Sequence, residues 1–258
     1  MGIFKSAALA FSTFSRIPMP NVRWSDGNMR YMMCAFPLVG GVIGLLVWGW
    51  CKLSASLEFG AALRAAGITV IPVAVTGGIH LDGLCDVADA LAGGADAPRR
   101  REILKDPRVG SFAVIRCACY FTLYFALGAE FAPDAPGLTI LCLTFVLSRT
   151  LSALAVLSMA PGSDTGLAAA FRSSADIPRA RVVLCLILVS CCCVFVAADA
   201  VRGVAASAAM LPCILRLKFA ARRKFGGMSG DLAGWFLQLC ELAALAALVV
   251  APRLSSLL

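Results

Sequence analysis

The chain has 258 residues, of which 60% are hydrophobic, and its formal net charge is +8. Its mean hydropathy of +0.86 lies far above that of soluble proteins, in which roughly half of the residues are apolar. A soluble enzyme is therefore excluded and an integral membrane protein is expected. Basic loops at a membrane surface explain the positive charge, so nucleic-acid binding is not expected.

Seven apolar runs are each long enough for a transmembrane helix, which needs about 20 residues. The runs lie near residues 31–53, 60–79, 109–129, 137–160, 181–199, 201–217 and 231–251. Only a tiny connection with Asp199 and Arg202 separates the fifth run from the sixth. Ahead of them, the apolar stretch from Ala7 to Phe14 has no cleavage site and is followed by Arg16, which predicts an interfacial helix rather than a secretory signal.

These runs predict an all-α, polytopic integral membrane helix bundle. It would have about seven transmembrane helices plus short interfacial helices, with residues 1–258 forming one domain. Most of the 23 Lys and Arg residues fall in 1–30, 81–108, 161–181 and 216–224. The positive-inside rule makes the N-terminus and the loops after the second, fourth and sixth spans cytoplasmic. A catalytic face is expected there, formed by 1–30, 77–111, 161–181 and 216–234.

An acidic motif, GGIHLDGLCDVADAL, occupies residues 77–91 and contains the only histidine, His80. Asp82-Gly83 is typical of a cap followed by a short helix running to Leu91. Asp82, Asp86 and Asp89 have i, i+4 and i+7 spacing, so they span about 60° of the helix. Three carboxylates on one face repel one another, and a divalent cation such as Mg²⁺ would remove the conflict.

Two simpler interpretations of the motif stay open. The carboxylates are also consistent with a solvated acidic face near a helix N-terminus, where the helix dipole favours negative charge. His80 fits a general base or a phosphate donor, and it equally fits a structural residue at a helix end.

Other polar residues are expected on the same side of the membrane. They are Arg16 in FSRIPMP, then Lys105, Asp106, Arg108 and Ser111 in KDPRVGSF, then Arg223, Ser229 and Asp231 in RRKFGGMSGDLAG. Glycine-rich turns and arginines bind phosphate, although loops with positive-inside anchors have the same composition. Together with the carboxylates, they indicate phosphoryl transfer on a nucleotide-bearing or diphosphate substrate.

The spans contain further signals. Gly40 and Gly44 have the spacing that permits close helix packing. Arg149 and Glu241 are both expected roughly 15 to 17 Å below the cytoplasmic surface, where they would pair, and Arg116, nearer that surface, would reach toward the site. The twelve cysteines include no C-x-x-C pair, so they are expected to be small packing residues rather than redox or metal ligands.

Six stretches, in chain order, resemble the cobalamin synthase family, the adenosylcobinamide-GDP ribazoletransferases of bacterial and archaeal membranes. They are FSRIPMP, FPLVGGVIG, GGIHLDGLCDVADAL, KDPRVGSF, SRTLSAL and FGGMSGDLAGWFLQLCE. The H-x-D-G-x-x-D-x-x-D-A block is the most specific of them. The chain departs from the family pattern at Ser15, Cys85, Pro107, Ala113 and Ser229, and none of these departures removes a carboxylate.

The resemblance implies an enzyme that joins adenosylcobinamide-GDP to α-ribazole or its 5'-phosphate, with release of GMP and formation of adenosylcobalamin or its 5'-phosphate. Mg²⁺ would be required. Asp82, Asp86 and Asp89 would hold the ion, and one of them or His80 would accept a proton.

The resemblance also implies roles for the other polar residues. Substrate ligands would include Arg16, Lys105, Arg108, Ser111, Arg223 and Ser229, with Asp106 and Asp231 as further metal ligands or residues that orient them. The bacterial inner membrane would be the location. Self-association and contacts with other cobalamin-pathway enzymes are left open.

Two other functions stay open at this level. A CDP-alcohol phosphotransferase shares the multi-span, Mg²⁺-dependent character, but that family expects an Arg soon after its D-G pair and then a later G-x-x-x-D-x-x-x-D segment, and neither follows Asp82-Gly83 here. A secondary transporter would explain Arg149, Glu241 and the glycine-broken helices, although the charge lies at one surface rather than at mid-membrane.

Overall fold

The computed structural model describes residues 2–257, which form a helical bundle without β-strands. The helices are α1 (Gly2–Phe14), α2 (Asp26–Met29), α3 (Met32–Ser56), α4 (Ala61–Thr76), α5 (Ile79–Ala92), α6 (Ala97–Ile103), α7 (Ser111–Glu130), α8 (Ala135–Ser158), α9 (Leu167–Ser174), α10 (Ile177–Ala198), α11 (Ala200–Phe219) and α12 (Gly230–Ser255). A π-helical turn (Ala220–Phe225) extends α11. The all-α fold is confirmed.

Six described helices are long and apolar enough to cross a membrane, namely α3, α7, α8, α10, α11 with its π-helical turn, and α12. At about 1.5 Å per residue, the 16 residues of α4 fall short of a bilayer core of roughly 30 Å. α4 passes the same test only together with α5, from which it is bent by 94°. The polytopic bundle is thus confirmed, with six candidate crossings, or seven when the bent α4–α5 pair is counted as one span. We treat α5 as interfacial, because the bend turns it away from α4.

The connections at the end of the bundle remote from the acidic motif are short and capped. Asp199 alone separates α10 from α11, and its carboxylate accepts the backbone N–H of Arg202 at 2.9 Å. Asp134 caps α8 and pairs with the Arg202 guanidinium at 2.5 Å. The tiny connection expected between the fifth and sixth apolar runs is therefore a single residue.

α3 and α8 pack closely because α3 presents glycines to α8. A Cβ atom at Gly44 would lie 2.5 Å from the carbonyl oxygen of Cys142, and one at Gly40 would clash with the carbonyl of Phe145. Backbones can approach this closely only where side chains are absent. The packing role expected for the two glycines is confirmed.

Gly44→Val is expected to destabilise the protein by about 1–3 kcal/mol, because the added methyl groups must push α3 away from α8. Gly41→Val is the matched control, since no atom lies within 4 Å of a Cβ at Gly41. Denaturant titration of the two variants in detergent measures the difference. Equal losses of stability would contradict the packing role.

All twelve cysteines are free. Cys51, Cys191 and Cys240 are buried, and all three belong to the hydrophobic core of the bundle. This agrees with the interpretation of these cysteines as small packing residues.

Candidate active site

The acidic motif forms α5, and two glycines set its direction. Gly77 and Gly78 both have left-handed backbones, with φ of 67° and 84°. Side chains strain this conformation, so the pair permits the 94° bend after α4. The expected helix start at Asp82-Gly83 is wrong: α5 begins at Ile79 with Gly78 as its N-cap. The left-handed glycine provides the boundary, and Asp82 lies in the first turn.

α5 packs directly on the first turns of α12. A Cβ atom at Gly83 would lie 2.6 Å from the carbonyl oxygen of Asp231, and one at Gly234 would lie 3.0 Å from the Cα of His80. Glycine on both helices therefore allows near-contact of the two backbones. The packing places Asp231 beside the acidic face of α5.

Asp82, Asp86 and Asp231 form an acidic cluster at this contact. Burial, followed by the negative charges of Asp82, Asp231 and Asp89, raises the pKa of Asp86 to about 6. The repulsion between carboxylates expected from the sequence is thus present in the fold. A cation or a proton at this position would relieve it.

Asp89 has a structural task of its own. Its Oδ2 accepts the backbone N–H of Gly110 at 2.7 Å, and its Oδ1 accepts that of Ala113 at 2.8 Å. The carboxylate thereby caps α7 from another helix. A Cβ atom at Gly110 would lie 2.6 Å from this carboxylate, so glycine is required there. Metal binding by Asp89 stays a prediction.

Asp89→Asn is expected to lower the stability of the protein by about 1–2 kcal/mol, because an amide retains only one acceptor and turns an NH₂ group toward a backbone N–H. Thermal unfolding in detergent, without added metal, measures this loss. Asp82→Asn is the comparison, since the exposed Asp82 accepts no side-chain hydrogen bond within residues 2–257. The capping role would be refuted if both variants had the melting temperature of the wild type.

The donor set fits a magnesium ion that is shared with a ligand. No three His, Cys, Asp or Glu side chains within the described chain are placed to hold an ion among themselves. Mg²⁺, however, is usually bound by one or two carboxylates together with waters and substrate phosphates. The acidic cluster supplies such carboxylates, and a phosphorylated substrate would supply the rest.

A cavity of about 460 Å³ lies beside the acidic cluster. Its walls include loop 162–166, loop 227–230, Arg101, Lys105 and Asp231. The backbones of the two loops pair, with Gly162 N–H donating to Met228 O at 2.9 Å and Met228 N–H donating to Ala160 O at 2.8 Å. Basic side chains next to glycine-rich backbone are suited to bind phosphate. We call this space the polar cavity.

A second cavity of about 270 Å³ also has Asp231 in its wall. Aromatic and aliphatic side chains line most of it, and the polar residues at its wall are His80, Asp82, Ser152 and Asp231. We call this space the apolar cavity. Asp231 and Gly230 line both cavities, so the acidic cluster lies where the two adjoin.

His80 is enclosed by aromatic rings. Its ring centroid lies 5.6 Å from that of Phe36 and 6.2 Å from that of Phe14. Burial and then the charge of Arg149 lower the pKa of His80 well below its ordinary value. Its imidazole is consequently neutral at physiological pH.

Several other residues predicted for the site lie at or near the cavities. Lys105 and Ser229 line the polar cavity, and Ser229 also caps α12 by accepting the N–H of Leu232 at 3.2 Å. Arg16 lies at the start of α5, since a Cβ atom at Gly77 would lie 2.7 Å from its Cγ.

The structure does not place the remaining predicted residues in either cavity. Arg108 pairs with its neighbour Asp106 at 2.7 Å on the surface, and this hydrogen bond lowers the pKa of Asp106 to about 2. Ser111 and Arg223 are exposed. Substrate binding by Arg108, Ser111 and Arg223, and metal binding by Asp106, stay predictions.

Sequence reasoning named no site residue in the loop PGSDTG, residues 161–166, which lines the polar cavity. The loop could have been noticed from its composition, because two glycines flank Ser163, Asp164 and Thr165. Such a composition is typical of turns. Gly166 has φ of 105°, a left-handed value that turns the loop into α9.

The predicted pairing of Arg149 with Glu241 is confirmed. Arg149 Nη1 lies 2.6 Å from Glu241 Oε1, and both side chains are 1% exposed. Ser148 donates to the same carboxylate oxygen at 3.0 Å. Arg116 lines a groove together with Arg216 and residues of α5 and lines neither cavity, so its expected reach toward the site stays a prediction.

The fold and the site together define a class: a polytopic helical membrane protein with an acidic cluster and a basic, loop-lined cavity at one end of the bundle. Residues 6–249 match the family described as Cobalamin-5-phosphate synthase. The chain belongs to this family.

Curated relatives agree with this assignment. An adenosylcobinamide-GDP ribazoletransferase from Lachnoclostridium phytofermentans is 39% identical over 94% of this chain and 92% of its own length. Relatives with the same name from Clostridium botulinum strain Alaska E43 and Geobacillus sp. strain WCH70 are 30% and 31% identical, over 94% and 84% of this chain and 96% and 84% of their own lengths. No solved structure was found to match. Family membership disfavours both the CDP-alcohol phosphotransferase and the transporter.

Proposed function

We propose that the protein transfers the adenosylcobinamide-phosphate moiety of adenosylcobinamide-GDP to α-ribazole or its 5'-phosphate. GMP leaves, and adenosylcobalamin or its 5'-phosphate forms. The observation that carries the proposal is the family match over residues 6–249. The acidic cluster beside the polar cavity supports it, because phosphoryl transfer needs anion binding and neutralisation of developing charge.

In the proposed reaction, an acceptor hydroxyl oxygen attacks the phosphorus next to the cobinamide. A new P–O bond forms, and the bond from that phosphorus to the bridging oxygen breaks, so that GMP departs with this oxygen. The hydroxyl proton needs an acceptor. Asp82 and Asp231 are suited to this role because both line the apolar cavity, whereas the lowered pKa of His80 makes its imidazole a weak proton acceptor.

The remaining roles follow from position. Arg101 and Lys105 would bind phosphates in the polar cavity, which they line. One or two carboxylates of the acidic cluster formed by Asp82, Asp86 and Asp231 would hold Mg²⁺ together with the diphosphate. When bound, the ion would offset negative charge on the transferred phosphoryl group and on GMP.

GMP release by the detergent-solubilised protein tests the function. With adenosylcobinamide-GDP, α-ribazole and Mg²⁺, we expect stoichiometric GMP and corrinoid product, and EDTA should stop both. Omission of α-ribazole is the control that separates transfer from hydrolysis. A cooperative unfolding curve, measured on the same preparation, shows that the protein is folded. The proposal would be refuted if this folded protein released no GMP in response to α-ribazole.

The same proposal places the acidic cluster on the cytoplasmic side of the bacterial inner membrane, as positive charge on the surrounding loops favours. Ser56→Cys lies at the end of α3 and Glu102→Cys lies in α6, and both native residues are exposed. In intact cells a membrane-impermeant maleimide is expected to label Ser56→Cys, and to label Glu102→Cys only after permeabilisation. The unmodified protein measures background from native cysteines, and labelling of both positions in intact cells would overturn this orientation.

A further inference from the structure

Aromatic side chains form a large part of the wall of the apolar cavity. Phe14, Phe36 and Phe171 line it together with aliphatic side chains such as Val156. The Phe14 and Phe171 rings meet edge to face with centroids 5.6 Å apart, and the Phe14 and Phe36 centroids are 4.2 Å apart. Aromatic walls of this kind favour a planar, apolar occupant.

His80, one of the polar residues that line this cavity, has a side-chain atom without a partner. His80 is 5% exposed, and its Nε2 has no hydrogen-bond partner within the described chain. Buried polar atoms are normally hydrogen-bonded, so an isolated one calls for an explanation. A ligand with one ring nitrogen at its edge would supply the missing partner.

We propose that the apolar cavity binds the aromatic base of the acceptor nucleoside, with His80 Nε2 hydrogen-bonded to a ring nitrogen. This inference rests on the proposed function, which supplies the acceptor nucleoside. The base would pack against the phenylalanine side chains that line the cavity. Its ribose would extend toward Asp82 and Asp231, which also line the cavity.

The position of the second cavity supports this assignment. Leu167, Ala168, Gly230 and Asp231 line both cavities. A base in the apolar cavity and a diphosphate in the polar cavity would bring the ribose hydroxyl and the phosphorus together at Asp231. The two substrates would thus enter separate spaces that adjoin at the acidic cluster.

Polarity and size disfavour the other two ring systems of the reaction. Guanine has donors and acceptors around most of its edge, and burial among apolar side chains would leave many of them unpaired. A corrinoid macrocycle is too large for this cavity. The cavity volume of about 270 Å³ is smaller than that of typical pockets for drug-sized ligands. The base of α-ribazole is a benzimidazole, which is bicyclic and largely apolar and has one free ring nitrogen. It therefore matches both the cavity wall and the unpaired nitrogen of His80.

Val156→Phe tests the cavity by filling it. We expect the KM for α-ribazole to rise at least about tenfold, while the KM for adenosylcobinamide-GDP stays unchanged. Val250→Phe is the matched control, because it makes the same substitution at an exposed position of α12 that lines neither cavity. Equilibrium dialysis of α-ribazole gives the same comparison without turnover.

His80→Phe tests the hydrogen bond. The acceptor is compared with its indole analogue, in which the ring nitrogen is replaced by a C–H group. The wild type should bind α-ribazole about tenfold more tightly than the analogue, and His80→Phe should bind the two equally.

Two results would overturn the assignment of the cavity. One is a rise in the KM for adenosylcobinamide-GDP, rather than for α-ribazole, in Val156→Phe. The other is an unchanged preference for α-ribazole over its analogue in His80→Phe. In either case ribazole-dependent GMP release by the wild type would leave the proposed function intact, whereas its absence would refute the function itself.

Discussion

Asp86→Asn and Asp82→Asn are each expected to lower turnover at least about a hundredfold while the protein still inserts into the membrane. The loss of a residue that only supports a metal ligand already reduces activity or metal affinity about 10- to 100-fold, and a direct ligand should matter no less. GMP release at saturating Mg²⁺ measures the effect. Glu102→Gln is the control, because it removes an exposed carboxylate from the same end of the bundle.

The stability of the Asp86→Asn variant separates a metal role from a folding role. The pKa of Asp86 is raised from 3.8 to about 6, so its ionisation is less favourable in the folded protein than in the unfolded chain. In EDTA, its contribution to stability should therefore fall as the pH rises from about 4 to 6. Asp86→Asn should remove this fall without lowering the melting temperature at pH 7. Wild-type turnover in both Asn variants would refute the metal role.

Arg149→Leu is expected to destabilise the protein by about 3–5 kcal/mol, because it leaves the carboxylate of Glu241 buried without its cationic partner. Both side chains are 1% exposed. The double variant Arg149→Leu/Glu241→Leu should lose much less, since neither charge then remains. Denaturant titration in detergent gives the free energies for a double-mutant cycle.

An exposed ion pair provides the control for this cycle. Arg99 and Glu102 pair at 2.7 Å with side chains that are 67% and 65% exposed, and such pairs contribute at most about 1 kcal/mol. Arg99→Leu should therefore change stability little. If the Arg149/Glu241 double variant were as unstable as the sum of its single variants, the two charges would not be coupled in the fold.

The sequence alone predicted the features that depend on local pattern. Apolar runs of sufficient length predicted the spanning helices, because a bilayer core demands internally hydrogen-bonded backbone. The spacing of Asp82, Asp86 and Asp89 placed all three on one helix, and Gly40 and Gly44 indicated close packing before its partner was known. The pairing of Arg149 with Glu241 followed from equal expected depth in the membrane.

Only the tertiary structure decided which residues meet across the chain. Asp231 joins Asp82 and Asp86 because Gly83 and Gly234 let α5 and α12 approach closely, and no local pattern specifies that contact. Asp89 lies on the same face of α5 as Asp82 and Asp86. Its carboxylate nevertheless caps α7, because the backbone N–H groups of Gly110 and Ala113 point toward it. The two cavities likewise arise between helices that are distant in sequence. Periodicity and solvent preference are properties of a segment, whereas a site is a property of how segments pack.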